Sequence, residues 1–168
     1  MTAPVLRPFA AADLVATVAM QSRAVEVLGR SHYTADEIAL LVAASREPGY
    51  AAELLANDLW LAVDGGGTIL GSAGWGRAAG ADGGVRGRIR KVFVEPGIAG
   101  RGLGRTLVEA AEARARAAGL RDFVVRANLN AVPFYERLGY RTTGPGGMLV
   151  AGREVAMTMM EKPAETAG

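Results

Sequence analysis

The chain has 168 residues, half of them hydrophobic, a net charge of +2 and no cysteine. This composition argues against global disorder and excludes disulfides, thiolate metal sites and a cysteine nucleophile. No apolar run approaches the roughly 18 residues of a membrane span, and a single histidine, His32, rules out a histidine-rich metal centre.

The start, "MTAPVLRPFAAADLV", is broken by Pro4, Arg7, Pro8 and Asp13 and makes a poor signal peptide. The expectation is a cytoplasmic protein with no membrane partner. Arg77, Arg86, Arg88, Arg90 and Lys91 cluster locally, but acids nearly balance bases over the chain. That pattern favours a local anionic ligand over nucleic acid.

In chain order, "VLRPF" reads as a short strand. Leu14, Val15, Val18, Val25 and Leu28 then recur at helical spacing, with Gly29 as a stop. "TADEIALLVAAS" is a second helix, with Thr34 and Glu37 at capping-box spacing and Ile38, Leu41 and Val42 on one face. "YAAELLAN" is a third, shorter one. "LWLAV", "DGGGT" and "ILGSAGW" read as strand, turn and strand, because Asp64-Gly65 and its neighbours supply the positive φ of a tight hairpin. "GRAAGADGGVRGR" reads as a loop. "IRKVFV" is apolar at successive positions towards its end, as in a central strand buried on both faces.

"RTLVEAAEARARAAG" is an amphipathic helix with Leu107, Val108, Ala111 and Ala115 on its packed face and Gly119 past its end. "FVVRA" is a strand. "NAVPFYERLG" is a short helix with Asn130 as its cap, Pro133 in its first turn and Gly139 at its end. "YRTT" begins a strand, and "MLV", "AG" and "REVAMTMM" form a final hairpin. The apolar strand "EVAMTMM" offers a surface for pairing across chains in a homodimer. Residues 1–162 form one domain, and the tail from Pro163 to Gly168 frays. The fold class is α/β (α+β). A strand–helix–strand unit supplies one parallel pair in a sheet that is otherwise antiparallel, flanked by helices.

The segment "VEPGIAGRGLGRTLV" joins a buried strand to a helix N-terminus. It fits neither a Walker loop nor a dinucleotide fingerprint. The first amides of a helix have no internal acceptor, the helix dipole is positive there, and glycine lets a ligand reach them. A phosphate or diphosphate is the natural guest, with Arg101 and Arg105 adding charge-assisted contacts. A ligand-free turn is the other reading of this segment taken alone.

Together with "NLNAVPFYERLGYRTTG", this segment resembles the GNAT superfamily of acetyl-CoA-dependent N-acetyltransferases. The family's phosphate-binding pattern, Arg/Gln-x-x-Gly-x-Gly/Ala, is matched at Gly102 and Gly104, while Ala99 departs from its first position. The later pattern is matched at Asn128, Ala131, Tyr135, Gly139 and Tyr140. The resemblance is clearest from Ile89 to Thr143. It implies a sheet whose parallel pair splays apart to admit coenzyme A. The pantetheine would pair near Phe93 and Val94 and pass Asn128. The diphosphate would rest on Ala99, Gly100, Arg101, Gly102, Leu103, Gly104 and Arg105. Tyr135 would protonate or hydrogen-bond the leaving thiolate, and a backbone amide near Val92 or Phe93 would hold the oxyanion.

The implied reaction is direct acetyl transfer to a primary amine of a small molecule or peptide, with acetyl-CoA as cosubstrate and no metal. A coenzyme A sensor that has lost catalysis, and a nucleotide-binding protein using the same helix terminus, are the alternatives. No general base is identified among Glu26, Asp36, Glu37 and Glu95. His32, Tyr33 and Trp75 are candidates for the acceptor pocket, with core or surface placement the competing expectation for each.

Overall fold

A computed structural model describes residues 2–166. The strands are β1 (Val5–Pro8), β2 (Asp58–Val63), β3 (Ile69–Ala79), β4 (Val85–Val94), β5 (Phe123–Asn128), β6 (Arg141–Val150) and β7 (Arg153–Lys162). They form one sheet in the order β1-β2-β3-β4-β5-β7-β6. The helices are α1 (Leu14–Leu28), α2 (Ala35–Ala44), α3 (Pro48–Ala56), α4 (Leu103–Ala117) and α5 (Val132–Arg137). Every neighbouring pair is antiparallel except β4 and β5. That parallel pair is in register only at Gly87↔Phe123 and Arg88↔Val124, so the C-terminal halves of the two strands lie apart. The mixed fold with one splayed pair is the one expected.

The helix α4 covers one face. Its Leu107, Val108, Ala111 and Ala115 are buried against Ile89, Phe123 and Val125. Gly119, at φ +92°, ends it, and the Leu120 amide donates back to the Ala115 carbonyl at 3.1 Å. Glu112, on the same helix, is buried but accepts from Tyr140 Oη at 2.8 Å and from Lys162 Nζ at 3.1 Å. A buried carboxylate needs such partners. On the opposite face, Met20 of α1 packs with Leu61, Val63 and Ile69. Leu41 of α2 packs with Tyr33, Val150, Val155 and Met157. The capping box at Thr34 and Glu37 is formed as expected.

Several local readings are corrected. The buried stripe of α1 is Thr17, Met20, Gln21 and Ala24, whereas Val15 is 82% exposed. A polar pair, Thr17 and Gln21, lies on the packed face, so hydrophobicity alone selects the wrong stripe. The segment 76–88 is not a loop. Strands β3 and β4 pair out to Ala79↔Val85, and the turn between them is closed by Gly80 N–H donating to Gly84 O at 2.6 Å. Asp82 fastens it by accepting from the Gly84 amide and from Arg86, each at 2.9 Å. Asn130 does not cap α5: Ala131 occupies that position, and Asn130 lies within a preceding single turn of 3₁₀ helix.

The "RTT" of "YRTT" and "MLV" belong to one strand, β6, with an irregularity between Thr142 and Gly144. Pro145 is tolerated because β6 is the sheet edge. It follows that β7 lies inside the sheet, between β5 and β6. Its Val155, Met157 and Met160 are buried within the chain, and as an inner strand it has no free edge for pairing. The tail expected to fray from Pro163 extends outside the described residues. Within them, the Ala164 amide donates to Asp122 at 2.8 Å.

Candidate active site

The site begins with an irregularity in β4. Between the pairs Ser72↔Phe93 and Gly74↔Arg90, one residue of β3 faces two of β4, Lys91 and Val92. Such a bulge leaves backbone outside the ladder and bends the strand. Lys91 has φ +54°, in the left-handed region. A side-chain relay fastens it. Ser72 Oγ donates to the Lys91 carbonyl at 2.7 Å, Gln21 Nε2 donates to Ser72 Oγ at 3.0 Å, and Tyr50 Oη donates to Gln21 Oε1. This explains the buried glutamine on α1. It ties α1, α3 and β3 to the point where β4 leaves the sheet's regular course.

Two cavities meet at that point. One, of about 580 Å³, runs past the end of β4 to the start of α4. The other, of about 370 Å³, lies among α1, α2, α3, β4, β5 and β6. They share Val25, Val92, Phe93, Asn128, Ala131 and Tyr135. The end of β4 is therefore not buried on both faces as expected. Lys91, Val92, Phe93 and Val94 are half-buried because β5 has moved away and left a gap.

Tyr135 is buried at this junction, its ring edge-on to Phe134 and Tyr140 with centroids 5.0 and 5.5 Å away. Its hydroxyl makes no hydrogen bond to the described residues. Burial pushes its pKa above the ordinary tyrosine value, so the phenol keeps its proton at neutral pH.

The larger cavity ends in a cradle of backbone. The amides from Gly100 to Arg105 find no acceptor among the described residues. Gly100 and Gly102 hold φ +80° and +89°, and a Cβ at either would meet nothing within 4 Å. Those two glycines thus serve the turn's left-handed backbone and leave the amides uncovered. Gly104 has a different reason: a Cβ there would lie 3.1 Å from the Phe134 ring.

Six unpaired amides at a helix start suit the oxygens of a diphosphate. Asn130 Oδ1, buried on the same cavity wall without a hydrogen-bond partner, is an acceptor suited to a ligand N–H. The cavity therefore fits a long ligand with a diphosphate at one end and amides along its length.

The smaller cavity is built from side chains and is strongly cationic. Arg88, Arg90 and Lys91 of β4 and Arg126 of β5 line it, with Glu53 of α3 as its one carboxylate. Glu53 contacts Lys91 at 2.9 Å and Arg90 at 3.1 Å. Burial would raise its pKa, but the hydrogen bond from Lys91 and the neighbouring cations outweigh that and hold it below the usual glutamate range. Burial lowers the Lys91 pKa against the pull of Glu53.

A family model described as the acetyltransferase (GNAT) domain matches residues 30–162. The chain belongs to the GNAT acetyltransferase family. Among solved structures, a GCN5-related N-acetyltransferase from Rhodopseudomonas palustris superposes with a TM-score of 0.84 at 27% identity, covering 97% of each chain. The PaiA N-acetyltransferase of Thermoplasma acidophilum, solved with coenzyme A, superposes with a TM-score of 0.76 at 14% identity, covering 96% of this chain and 99% of that one. A putative acetyltransferase, yncA, from Salmonella typhimurium, solved with acetyl-CoA, gives 0.63 at 20% identity over 99% and 97%. At such identities the last two establish the fold alone. No curated protein matches the sequence. No helix among the described residues is long and apolar enough to cross a membrane.

Against this GNAT frame, the expected coenzyme residues fall on one cavity with one exception. Phe93, Val94, Ala99, Gly100 and Gly102 line the larger cavity, as do Leu103, Gly104, Arg105 and Asn128. Arg101 is exposed and does not line it. Arg105 lines it but its guanidinium pairs with Glu109 at 2.8 Å. Of the acids considered as a base, none lines either cavity: Glu95 pairs with Arg23 at 2.7 Å and Glu37 caps α2.

His32 is exposed beside Ser31. Tyr33 is buried, donating to the Ala156 carbonyl at 2.7 Å and accepting from the Leu129 amide at 3.0 Å. Trp75 donates to Asp58 at 2.6 Å and packs into the core under α4. None of these three lines the smaller cavity. The residues missed are Gln21, Tyr50, Glu53 and Arg126. Arg88 and Arg90 were visible only as part of a basic cluster.

Proposed function

We propose that this chain transfers the acetyl group of acetyl-CoA directly to a primary amine of a small molecule or peptide. One observation carries the reading: a backbone cradle suited to a diphosphate and a side-chain cavity that share a wall at a protonated, unbonded tyrosine. Acetyl-CoA supplies an activated acyl carbon and a thiolate leaving group. The amides of Gly100 to Arg105 hold the diphosphate, the strand end at Phe93 and Val94 pairs with the pantetheine, and Asn128 and Asn130 face the arm.

The chain's own residues then divide the work. The amine nitrogen forms a bond to the acyl carbon while the carbon–sulfur bond breaks. The backbone freed from the ladder at Val92 offers an amide to the transient oxyanion. A thiol resembles cysteine, with a pKa of about 8.5, so a tyrosine raised above its ordinary value is the weaker acid. Tyr135 therefore stabilises the developing thiolate by donating a hydrogen bond, and the released thiolate takes its proton from water. The proton lost by the amine passes to water, because Glu53, held ionised below the usual glutamate range by its two ion pairs, is too weak a base to take it.

The test follows free thiol released from acetyl-CoA against a panel of amines, with the N-acetylated product identified by mass. Release of one thiol per amide formed is expected. Tight coenzyme binding without transfer to any amine would leave a coenzyme A sensor in its place.

A further inference from the structure

Seven of the seventeen arginines pair with a carboxylate among the described residues. Arg7 pairs with Asp13, Arg86 with Asp82, Arg114 with Asp58 and Arg105 with Glu109. Three on cavity walls, Arg88, Arg126 and Arg137, have no carboxylate partner among the described residues, and of the two in the smaller cavity the barest is Arg88. It is half-buried, yet it makes no ion pair or hydrogen bond with the described residues. Its charged neighbours are Arg126, Arg90 and the carboxylate of Glu53. Burial first, then Arg126 and Arg90, push its pKa down. Arg126 offers only a long 3.4 Å contact to the Gly147 carbonyl. Four cations thus line the smaller cavity around one carboxylate, and that carboxylate is already shared by Arg90 and Lys91.

The strand register explains the cluster. Gly87 and Ile89 point into the core under α4, so Arg88 and Arg90 point to the other face. Arg88 stands beside Val124 where β4 and β5 still pair, and Arg126 follows two residues later on the same face as Val124. Concentrating like charges in a half-buried cleft is unfavourable without a counter-ion. The coenzyme's diphosphate is not that counter-ion, because its cradle lies in the other cavity and Arg88, Arg90 and Arg126 do not line it.

We propose that the acceptor is an amine that also carries an anionic group, a carboxylate or a phosphate, and that Arg88 with Arg126 and Arg90 forms the subsite for that group. This rests on the acetyltransferase reading above. The same positive field serves the reaction: it disfavours the ammonium form of the bound amine and so helps deliver the free base that attacks. Polyamines, which add positive charge, are poor acceptors on the same ground.

Matched pairs of amines decide the matter: phenylalanine against phenethylamine, 4-aminobutyrate against propylamine, and phosphoethanolamine against ethanolamine. Each is assayed by thiol release at saturating acetyl-CoA. In at least one pair the anionic member is expected to have kcat/KM at least about tenfold higher, and the pair that responds identifies carboxylate or phosphate. Arg88→Gln should lower that ratio by about ten- to a hundredfold, the range of a charge-assisted hydrogen bond. Arg88→Lys, which keeps the charge, should retain most of it. Members without the anionic group that equal or exceed their partners in every pair would overturn the proposal, as would a ratio unmoved by Arg88→Gln.

If no amine is acetylated, the acetyltransferase reading fails by itself. The subsite is then decided by calorimetric titration of glutamate and phosphoethanolamine into the protein with coenzyme A. Binding weakened about tenfold in Arg88→Gln upholds it. Equal binding, or none, overturns it.

Discussion

The two cavities that meet at Tyr135 are made of different material. The larger is closed by main chain, six amides at the start of α4 shaped by left-handed glycines. The smaller is walled by side chains from α1, α2, α3, β4, β5 and β6. A backbone site recognises what every cosubstrate molecule has in common, the diphosphate, and depends little on which side chains surround it. A side-chain site recognises what differs between acceptors and can be rewritten residue by residue. The junction residues have to serve both, and it is there that a single change has the largest effect.

Tyr135→Phe tests the junction. It removes a hydroxyl that no described residue uses, and the ring keeps its packing on Phe134 and Tyr140. We expect kcat to fall by about 10²- to 10⁴-fold, with the affinity for acetyl-CoA changed less than about threefold. Stopped-flow binding and steady-state turnover on the same preparation separate the two. An unchanged kcat across the pH range would remove Tyr135 from the reaction and leave it as a core aromatic.

Ser72→Ala tests the acceptor side without touching a cavity wall. Ser72 bridges Gln21 and the Lys91 carbonyl, so its loss leaves a buried amide and a buried carbonyl short of a partner. The cost should be about 1–3 kcal/mol of stability, read as a lower denaturant midpoint. The bulge it fastens carries Lys91, so the acceptor KM should rise as well. Gly102→Ala is the corresponding test on the coenzyme side. Its φ of +89° strains any L-residue, by about 1–2 kcal/mol, although no atom stands in the way of a Cβ. The expected result is a several-fold weaker Kd for coenzyme A and an unaltered acceptor KM. Should both variants move both constants alike, the division into a backbone site and a side-chain site would fail.

That division also explains what could be read in the sequence. The cradle is contiguous: a strand end, a glycine turn and a helix start within Val94–Val108, so its geometry is written locally. The α4 face and the capping box at Thr34 follow from short-range rules of the same kind, whereas the splayed pair is implied only by the resemblance to the GNAT family. The acceptor cavity has no such contiguity. Gln21, Glu53, Arg88 and Arg126 come from four elements and meet only after the sheet is assembled. Arg88 and Arg90 alternate as strand residues do, but the alternation does not say which face is the cavity until Ile89 is seen in the core.

The exposure of Val15 has the same origin. The polar Gln21 wins the buried face of α1 because Tyr50 and Ser72 await it, and no local pattern reports those partners. In the β3–β4 hairpin, glycines that read as a loop are accommodated by cross-strand pairing, with the turn itself confined to five residues fastened by Asp82.

The smallest expected effect comes from acid. Asp13 accepts from Arg7 at 2.8 Å and from the Ala10 amide at 2.9 Å, and these bonds, led by the Arg7 contact, hold its carboxyl below the usual aspartate range. A folded-state pKa lower than the unfolded one means that the unfolded chain takes up protons first as pH falls. The stability this pair contributes is present above the unfolded aspartate value of about 3.9 and is lost as pH drops through the folded one. Asp13 and Arg7 sit at the β1–α1 corner, and neither lines either cavity. Asp13→Asn should therefore cost about 1 kcal/mol or less at pH 7 and leave coenzyme and acceptor constants alone. Thermal midpoints of the variant and the parent, measured from pH 7 down to pH 3, should converge at the acid end. A gap that stays constant to pH 3 would mean that the stabilisation comes from helix-end geometry and not from the charge on Asp13.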